Sequence, residues 1–275
     1  MIKLTTSLWT TPMFNDRWNI DANSQYRNTL LMCALCVTYA KSIGCHITMH
    51  TDSRGYEDLS KFGYDEVYND LDVLNERIKT SSTLLWAGGK AIALESEPIG
   101  TIHIDNDVFL TKQECADALS FDDCDFIFQH VETAGYKEKE LFKDILTNID
   151  LSKDFACCVG VIGFNSEEAR KQYVDNYKYW FKNFEYDKGG NNILNADLVL
   201  EQVYLYNMME DMGYRGKALI GDLREESIFE VQKNSAKIGY QHIIGQTKFA
   251  KPVIKKLEKT LQTLNPKLYE IIESL

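Results

Sequence analysis

The feature that most constrains this chain is the alternation of strand and helix signals over its first 110 residues. Ile2 to Thr10 reads as a strand ending at Pro12, and Ser24 to Ile43 carries the 3.6-residue apolar period of a helix stopped by Gly44. Cys45 to Thr51 is a second strand, Tyr56 to Phe62 a short helix and Asp65 to Tyr68 a third strand. Thr83 to Glu95 is a helix, and Thr101 to Phe109 a fourth strand. Strands separated by helices need crossover connections, so the expected fold is α/β with a mixed, mainly parallel sheet flanked by helices. In such sheets ligands gather at the carboxyl ends of the strands, which makes those ends the places to search.

The second half is less regular. Asp125 to His130 and Ala156 to Phe164 read as strands, and Lys137 to Asn148, Glu167 to Asn183 and Asn195 to Met212 as helices. Residues 184–194, with their run of Gly and Asn, read as a loop, and the chain beyond Val253 as a helical tail broken near Asn265 and Pro266. No repeat or low-complexity linker divides the chain. The expected organisation is one domain over residues 1–250, with a helical tail, 251–275, packed on it or extending from it.

Composition narrows the partners. The formal charge of −11 argues against nonspecific nucleic acid binding, which needs a basic surface to displace counterions. The balance is uneven, since Gln232 to Leu275 holds eight Lys against three Glu. Those lysines, among them Lys251, Lys255, Lys256 and Lys259, suit a solvated helix face or contact with a membrane. No stretch approaches the roughly 20 apolar residues of a membrane span, and the first residues lack a signal peptide's apolar run, so the expected location is cytoplasmic. Seven cysteines, most of them in apolar runs, agree with a reduced interior. Cys33 and Cys36 form a C-x-x-C, but with no second ligand pair nearby they read as packing residues.

Chemistry concentrates in two segments. In Thr101-Ile-His-Ile-Asp-Asn-Asp-Val-Phe109 an apolar strand ends in two carboxylates one residue apart, and side chains two apart on a strand share a face. Carboxylates held that close repel unless a cation or proton lies between them, and hard oxygen donors favour Mg²⁺ or Mn²⁺. A solvated turn is the competing reading. The second segment, Gly239-Tyr-Gln-His-Ile-Ile-Gly-Gln-Thr-Lys-Phe249, spaces His242, Gly245 and Lys248 three residues apart. That set offers an imidazole ligand, a close backbone approach and a counter-charge for phosphate.

Together these segments resemble nucleotide-sugar glycosyltransferases of the GT-A type, specifically the family 8 group that includes glycogenin and bacterial galactosyltransferases. The resemblance implies that Asp105, Asp107 and His242 ligate Mn²⁺ (or Mg²⁺), while Gly245 and Lys248 hold the diphosphate of a UDP-sugar. Lys90, fifteen residues before Asp105, matches a basic helix residue that reaches the donor in that group. Glu201-Gln202 resembles its acidic-Gln pair, with the Gln amide near the reacting anomeric carbon. The catalytic candidates are thus Gln202, Glu201 and Asp107.

Ser7-Leu-Trp-Thr-Thr-Pro12 and His50-Thr-Asp52 also resemble mostly uncharacterised bacterial proteins proposed to be glycosyltransferases. That likeness makes Trp9, Thr10 and Asp52 candidate base or ribose contacts, a helix N-cap being the other reading of Asp52. Two departures stand out: Cys158 where the group has Asn on its acceptor-side strand, and Phe249-Ala250 where it has Pro and Trp. The implied activity is metal-dependent transfer of a hexose-type sugar to a carbohydrate or lipid-linked acceptor in bacterial surface glycoconjugate synthesis, with retention favoured. A nucleotidyltransferase, a nucleotide-sugar hydrolase and a noncatalytic binding module remain open.

Overall fold

Asp21 accepts a hydrogen bond from the backbone N–H of Ser24 (2.8 Å) and so starts the long helix Ala22–Ser42. Gly44, in the left-handed region at φ 74°, turns the chain out of it. The computed structural model describes residues 1–14, 20–78, 84–184 and 196–275. The strands are β1 (Lys3–Leu8), β2 (His46–Thr51), β3 (Glu66–Asn69), β4 (Ile102–Ile104), β5 (Val108–Leu110), β6 (Phe126–Thr133), β7 (Phe155–Phe164), β8 (Gly216–Ala218) and β9 (Tyr240–His242). Seven of them form one sheet in the order β3-β2-β1-β4-β7-β6-β8, while β5 and β9 form a separate pair. Four of the six neighbour pairings in the large sheet are parallel and the two made by β7 are antiparallel. The mixed, mainly parallel α/β sheet expected from the sequence is therefore present.

Apolar layers cover both faces. Alternate residues of β7 serve opposite sides, Val161 joining one core and Ile162 the other. On the first side the unbroken run Leu30 to Val37 of the long helix is buried throughout, because that helix is sandwiched between the sheet and the C-terminal helices. Those two helices, Lys251–Leu264 and Pro266–Glu273, bury Ile254, Leu257, Leu261, Leu268 and Ile272 in the same core. Arg27 on the long helix reaches Glu258 (3.0 Å) and Glu273, tying both to it. Lys251, Lys255, Lys256 and Lys259 face outward. The second face carries the helices Gly88–Ser96 and Glu167–Asn183. All seven cysteines are free and buried, and no helix among the described residues is long and apolar enough to cross a membrane.

Several sequence expectations are corrected. The single strand expected over Thr101 to Phe109 is two, because Asn106 and Asp107 form a turn closed by the Val108 N–H donating to the Asp105 carbonyl (3.0 Å). The short helix expected at Tyr56 to Phe62 begins earlier, at Ser53, where Asp52 caps it. Residues Leu198–Val203 wind as a π-helix rather than the α-helix expected there. The loop expected at 184–194 falls almost wholly outside the described residues.

The end of β2 carries a buried charge cluster. His50, 1% exposed, places Nδ1 2.8 Å from Asp70 and Nε2 3.2 Å from Glu97. Burial alone would lower its pKa, but the two carboxylates outweigh it and raise it to about 9. A folded-state value above the unfolded 6.5 means a stabilisation fully present below pH 6.5 and lost as pH rises through 9. Between pH 6.5 and 9.5 the wild type should therefore lose about 2 kcal/mol more stability than His50→Gln. Urea unfolding across that window measures it, and parallel curves for the two proteins would refute the assignment.

Candidate functional site

The turn between β4 and β5 aims both motif carboxylates at one point, although not by the strand alternation expected. The Asp105 N–H donates to the Gly160 carbonyl on β7 (2.9 Å), fixing the residue that follows β4. Asn106 faces the other way, accepting from the Thr6 hydroxyl (2.7 Å) and donating to the Ser7 carbonyl (2.8 Å), which pins the turn to β1. Asp107 then swings back beside Asp105. A turn held from both sides orients two carboxylates more tightly than a free strand end would.

His242 arrives from far along the chain. Ser227 and Glu230 form a reciprocal capping box that starts the helix Ile228–Ile238, and Gly239, left-handed at φ 78°, ends it and launches β9. Antiparallel pairing of β9 with β5 sets His242 opposite Val108, and the Ile243 N–H donates to the Asp107 carbonyl (3.1 Å). One ligand atom each from Asp105, Asp107 and His242 lie within 4.8 Å of one another.

The surroundings prepare the imidazole for this role. Nδ1 lies 2.7 Å from Gln129 Oε1, and that oxygen also accepts from the Tyr240 hydroxyl (2.7 Å). A carbonyl oxygen can only accept, so Nδ1 carries a proton, which leaves Nε2, 3.4 Å from Asp107 Oδ1, as the ring nitrogen that would face a cation. A ring nitrogen fixed by a second hydrogen bond, beside two carboxylates, is a donor set suited to Mn²⁺ or Mg²⁺. Gln129 is placed by a register slip of the β6–β7 ladder between Phe128 and His130.

Gly160 makes room for this arrangement. A Cβ there would fall 2.4 Å from Gln129 Oε1 and 2.6 Å from His242 Nδ1. Gly160→Ala should break the Gln129–His242 bond while the chain stays folded, and weaken Mn²⁺ binding by about 10–100-fold. Calorimetric titration with Mn²⁺ checks this, and an unchanged affinity would show that the bond does not matter to the ligand set.

Two lysines balance the acids. Asp107, 5% exposed, is an ion-pair partner of Lys248; burial would raise its pKa, but Lys248 and His242 hold it well below the ordinary carboxylate range. Lys90 is also buried, and Nζ lies 2.9 Å from the Val159 carbonyl, 3.0 Å from Asp105 and 3.0 Å from Glu201. Burial opposes its charge, but those two carboxylates raise its pKa and keep it an ammonium. Lys90 is thus the counter-charge of the acid cluster and also lines the cavity beside it. Glu201 differs again: burial lifts its carboxyl to about 8 against the pull of Lys90.

A cavity of about 300 Å³ opens on this cluster. Trp9, Lys90, Asp105, Asp107, Glu201, Gln202, His242, Gly245 and Lys248, all candidates from sequence, line it. Gly245 is left-handed at φ 69°, as the close turn of the Gly245–Phe249 segment requires. Gln202 sits in the π-helical turn with Oε1 accepting from the Tyr136 hydroxyl (2.7 Å). Two candidates are not brought to the cavity. Asp52 Oδ2 accepts from the Thr10 N–H (2.7 Å) and hydroxyl (2.8 Å), and Oδ1 from the Gly55 N–H (3.1 Å). Both are 2% exposed, and the helix-cap reading is the one the geometry supports.

The chain belongs to a family of unknown function, DUF6734, whose model matches residues 2–275. No curated protein matches it in sequence. Among solved structures it is similar to mouse xyloside xylosyltransferase 1 in its apo form, at 10% identity and a TM-score of 0.37. That match covers 78% of this chain and 77% of the other.

Proposed function

We propose that the protein is a metal-dependent glycosyltransferase that moves a hexose-type sugar from a nucleotide sugar, in the first instance a UDP-sugar, to an acceptor hydroxyl. The observation that carries this reading is the convergence of Asp105, Asp107 and His242 within 4.8 Å beside Lys248 in one cavity. Bound by those three residues, a divalent cation would supply charge neutralisation for a departing diphosphate. Lys248 pairs with Asp107 in the structure and becomes available to a phosphate once that carboxylate has another counter-charge. Gly245, in its left-handed turn, lets a ligand approach the backbone closely.

In the transfer, the bond from the anomeric carbon to the phosphate oxygen breaks and its electron pair leaves with the diphosphate. The acceptor oxygen bonds to that carbon, and its proton passes to the diphosphate. Gln202, held by Tyr136, lines the cavity and would face the anomeric centre. Burial raises the Glu201 carboxyl, and Glu201 would be the general base of an inverting reaction; retention, with Gln202 at the anomeric centre, is the favoured course.

A melting-temperature screen of nucleotide sugars with and without Mn²⁺ tests the reading. Stabilisation by UDP-sugars only when Mn²⁺ is present is expected, and NMR of the product then reports the anomeric configuration. Rapid, complete release of UDP or UMP without acceptor would replace the reading with a hydrolase. No response to any nucleotide sugar would replace it with a noncatalytic module.

A further inference from the structure

The acid cluster lines one part of the cavity. Pro12 and Met13 line it, as do Gln25, Thr29 and Met32 of the long helix. The last three recur at i, i+4 and i+7, so one face of that helix forms a wall about 10 Å long. Of the three only Met32 is apolar, and the Thr29 hydroxyl is used on the Gln25 main-chain carbonyl (2.9 Å). The Gln25 side chain is different. It is 1% exposed, lines the cavity, and among the described residues neither Oε1 nor Nε2 has a hydrogen-bond partner. A buried amide with both its donor and its acceptor unmet is costly to keep, and folding alone gives no reason for it.

We propose that Gln25 reads the hydrogen-bonding edge of the nucleobase of the bound nucleotide. This rests on the reading of the site as one for a nucleoside diphosphate. A primary amide presents N–H and C=O side by side in one plane, the complement of the N3–H and neighbouring carbonyl of uracil. One flat ring satisfies both orphaned atoms, while its faces meet the apolar wall of Pro12, Met13 and Met32. A sugar ring suits this wall less, because Pro12, Met13 and Met32 offer its hydroxyls no partner.

The test titrates Mn²⁺-UDP and Mn²⁺-pyrophosphate into the wild type, Gln25→Met and Gln25→Glu. UDP should bind the wild type more tightly than pyrophosphate, Gln25→Met should lose about tenfold in UDP affinity, and pyrophosphate affinity should not move. Gln25→Met should also melt about 2–4 °C higher without ligand, since it removes two unmet polar atoms. Gln25→Glu, which exchanges the N–H donor for an acceptor, should lose UDP affinity as well. Equal UDP affinity in all three proteins, or equal losses for UDP and pyrophosphate, would overturn the assignment. So would a lower melting temperature in Gln25→Met with selectivity intact, which marks a structural role. A wild type that binds pyrophosphate as tightly as UDP removes base reading and leaves the metal–phosphate site standing. A wild type that binds neither removes the proposed function and this inference together.

Discussion

Asp105→Ala combined with Asp107→Ala should abolish sugar transfer and reduce Mn²⁺-dependent UDP binding by more than about a hundredfold. The two side chains supply two of the three candidate ligand atoms, and removing donors that act on developing charge costs about 10²–10³ in rate apiece. The change is also electrostatic, because Asp107 is the ion-pair partner of Lys248 and Asp105 that of Lys90. Without the carboxylates the cavity becomes cationic, so metal-independent binding of free UDP should be retained or strengthened. Calorimetry with and without Mn²⁺ separates the two effects. Undiminished Mn²⁺-dependent binding in the double variant would remove the carboxylates from the site.

The second large effect concerns Lys90. Lys90→Met leaves Glu201 and Asp105 without their shared ammonium, and breaking a buried ion pair costs about 3–5 kcal/mol. The low end applies here. Glu201, already raised to about 8, can take up a proton, and the Asp105 side chain is 22% exposed to water. A loss of about 3 kcal/mol is therefore expected from urea unfolding, together with loss of transfer. Lys90→Arg should not restore either, since three acceptors converge on one compact ammonium and a planar fork does not fit that arrangement. Glu201→Gln should cost far less, because Lys90 keeps Asp105 and the Val159 carbonyl as partners and an amide oxygen can still accept from it. A stability loss in Lys90→Met no larger than in Glu201→Gln would show that the ammonium is not the centre of the network.

Much of this was legible in the sequence, and the reasons are local. The strands of the first half are legible because helix caps and glycines such as Asp21, Gly44 and Asp52 bound the runs on either side of them. The His242, Gly245 and Lys248 spacing lies within seven residues, so no long-range folding is needed to see it. What brings His242 to Asp107 is different: the pairing of β9 with β5 is made between residues more than a hundred apart, and three-residue strands carry no periodic signal. The capping box at Ser227 and Glu230 was a visible start signal for the helix that precedes β9. Gln129 also left a trace, as a polar residue in an otherwise apolar strand, which when buried demands a partner.

Two failures have physical causes. The carboxylates were expected to share a strand face, but side-chain alternation holds only while the ladder continues, and Asn106 breaks it by bonding to β1. The protein partners of Lys90 were not foreseen either, since spacing alone could not reveal that Asp105, Glu201 and the Val159 carbonyl converge on its ammonium at the cavity. Gln25 was missed because a single Gln on a helix is unremarkable until burial leaves it without a partner.

The central claim is that Asp105, Asp107 and His242 together hold one divalent cation. Electron spin-echo spectroscopy of the Mn²⁺-UDP complex tests it most directly, since Mn²⁺ bound to an imidazole shows modulation from the coordinated nitrogen. The account predicts that modulation in the wild type and its loss in His242→Gln. Mn²⁺ bound with no nitrogen coupling in the wild type, or with coupling that survives in His242→Gln, would contradict it.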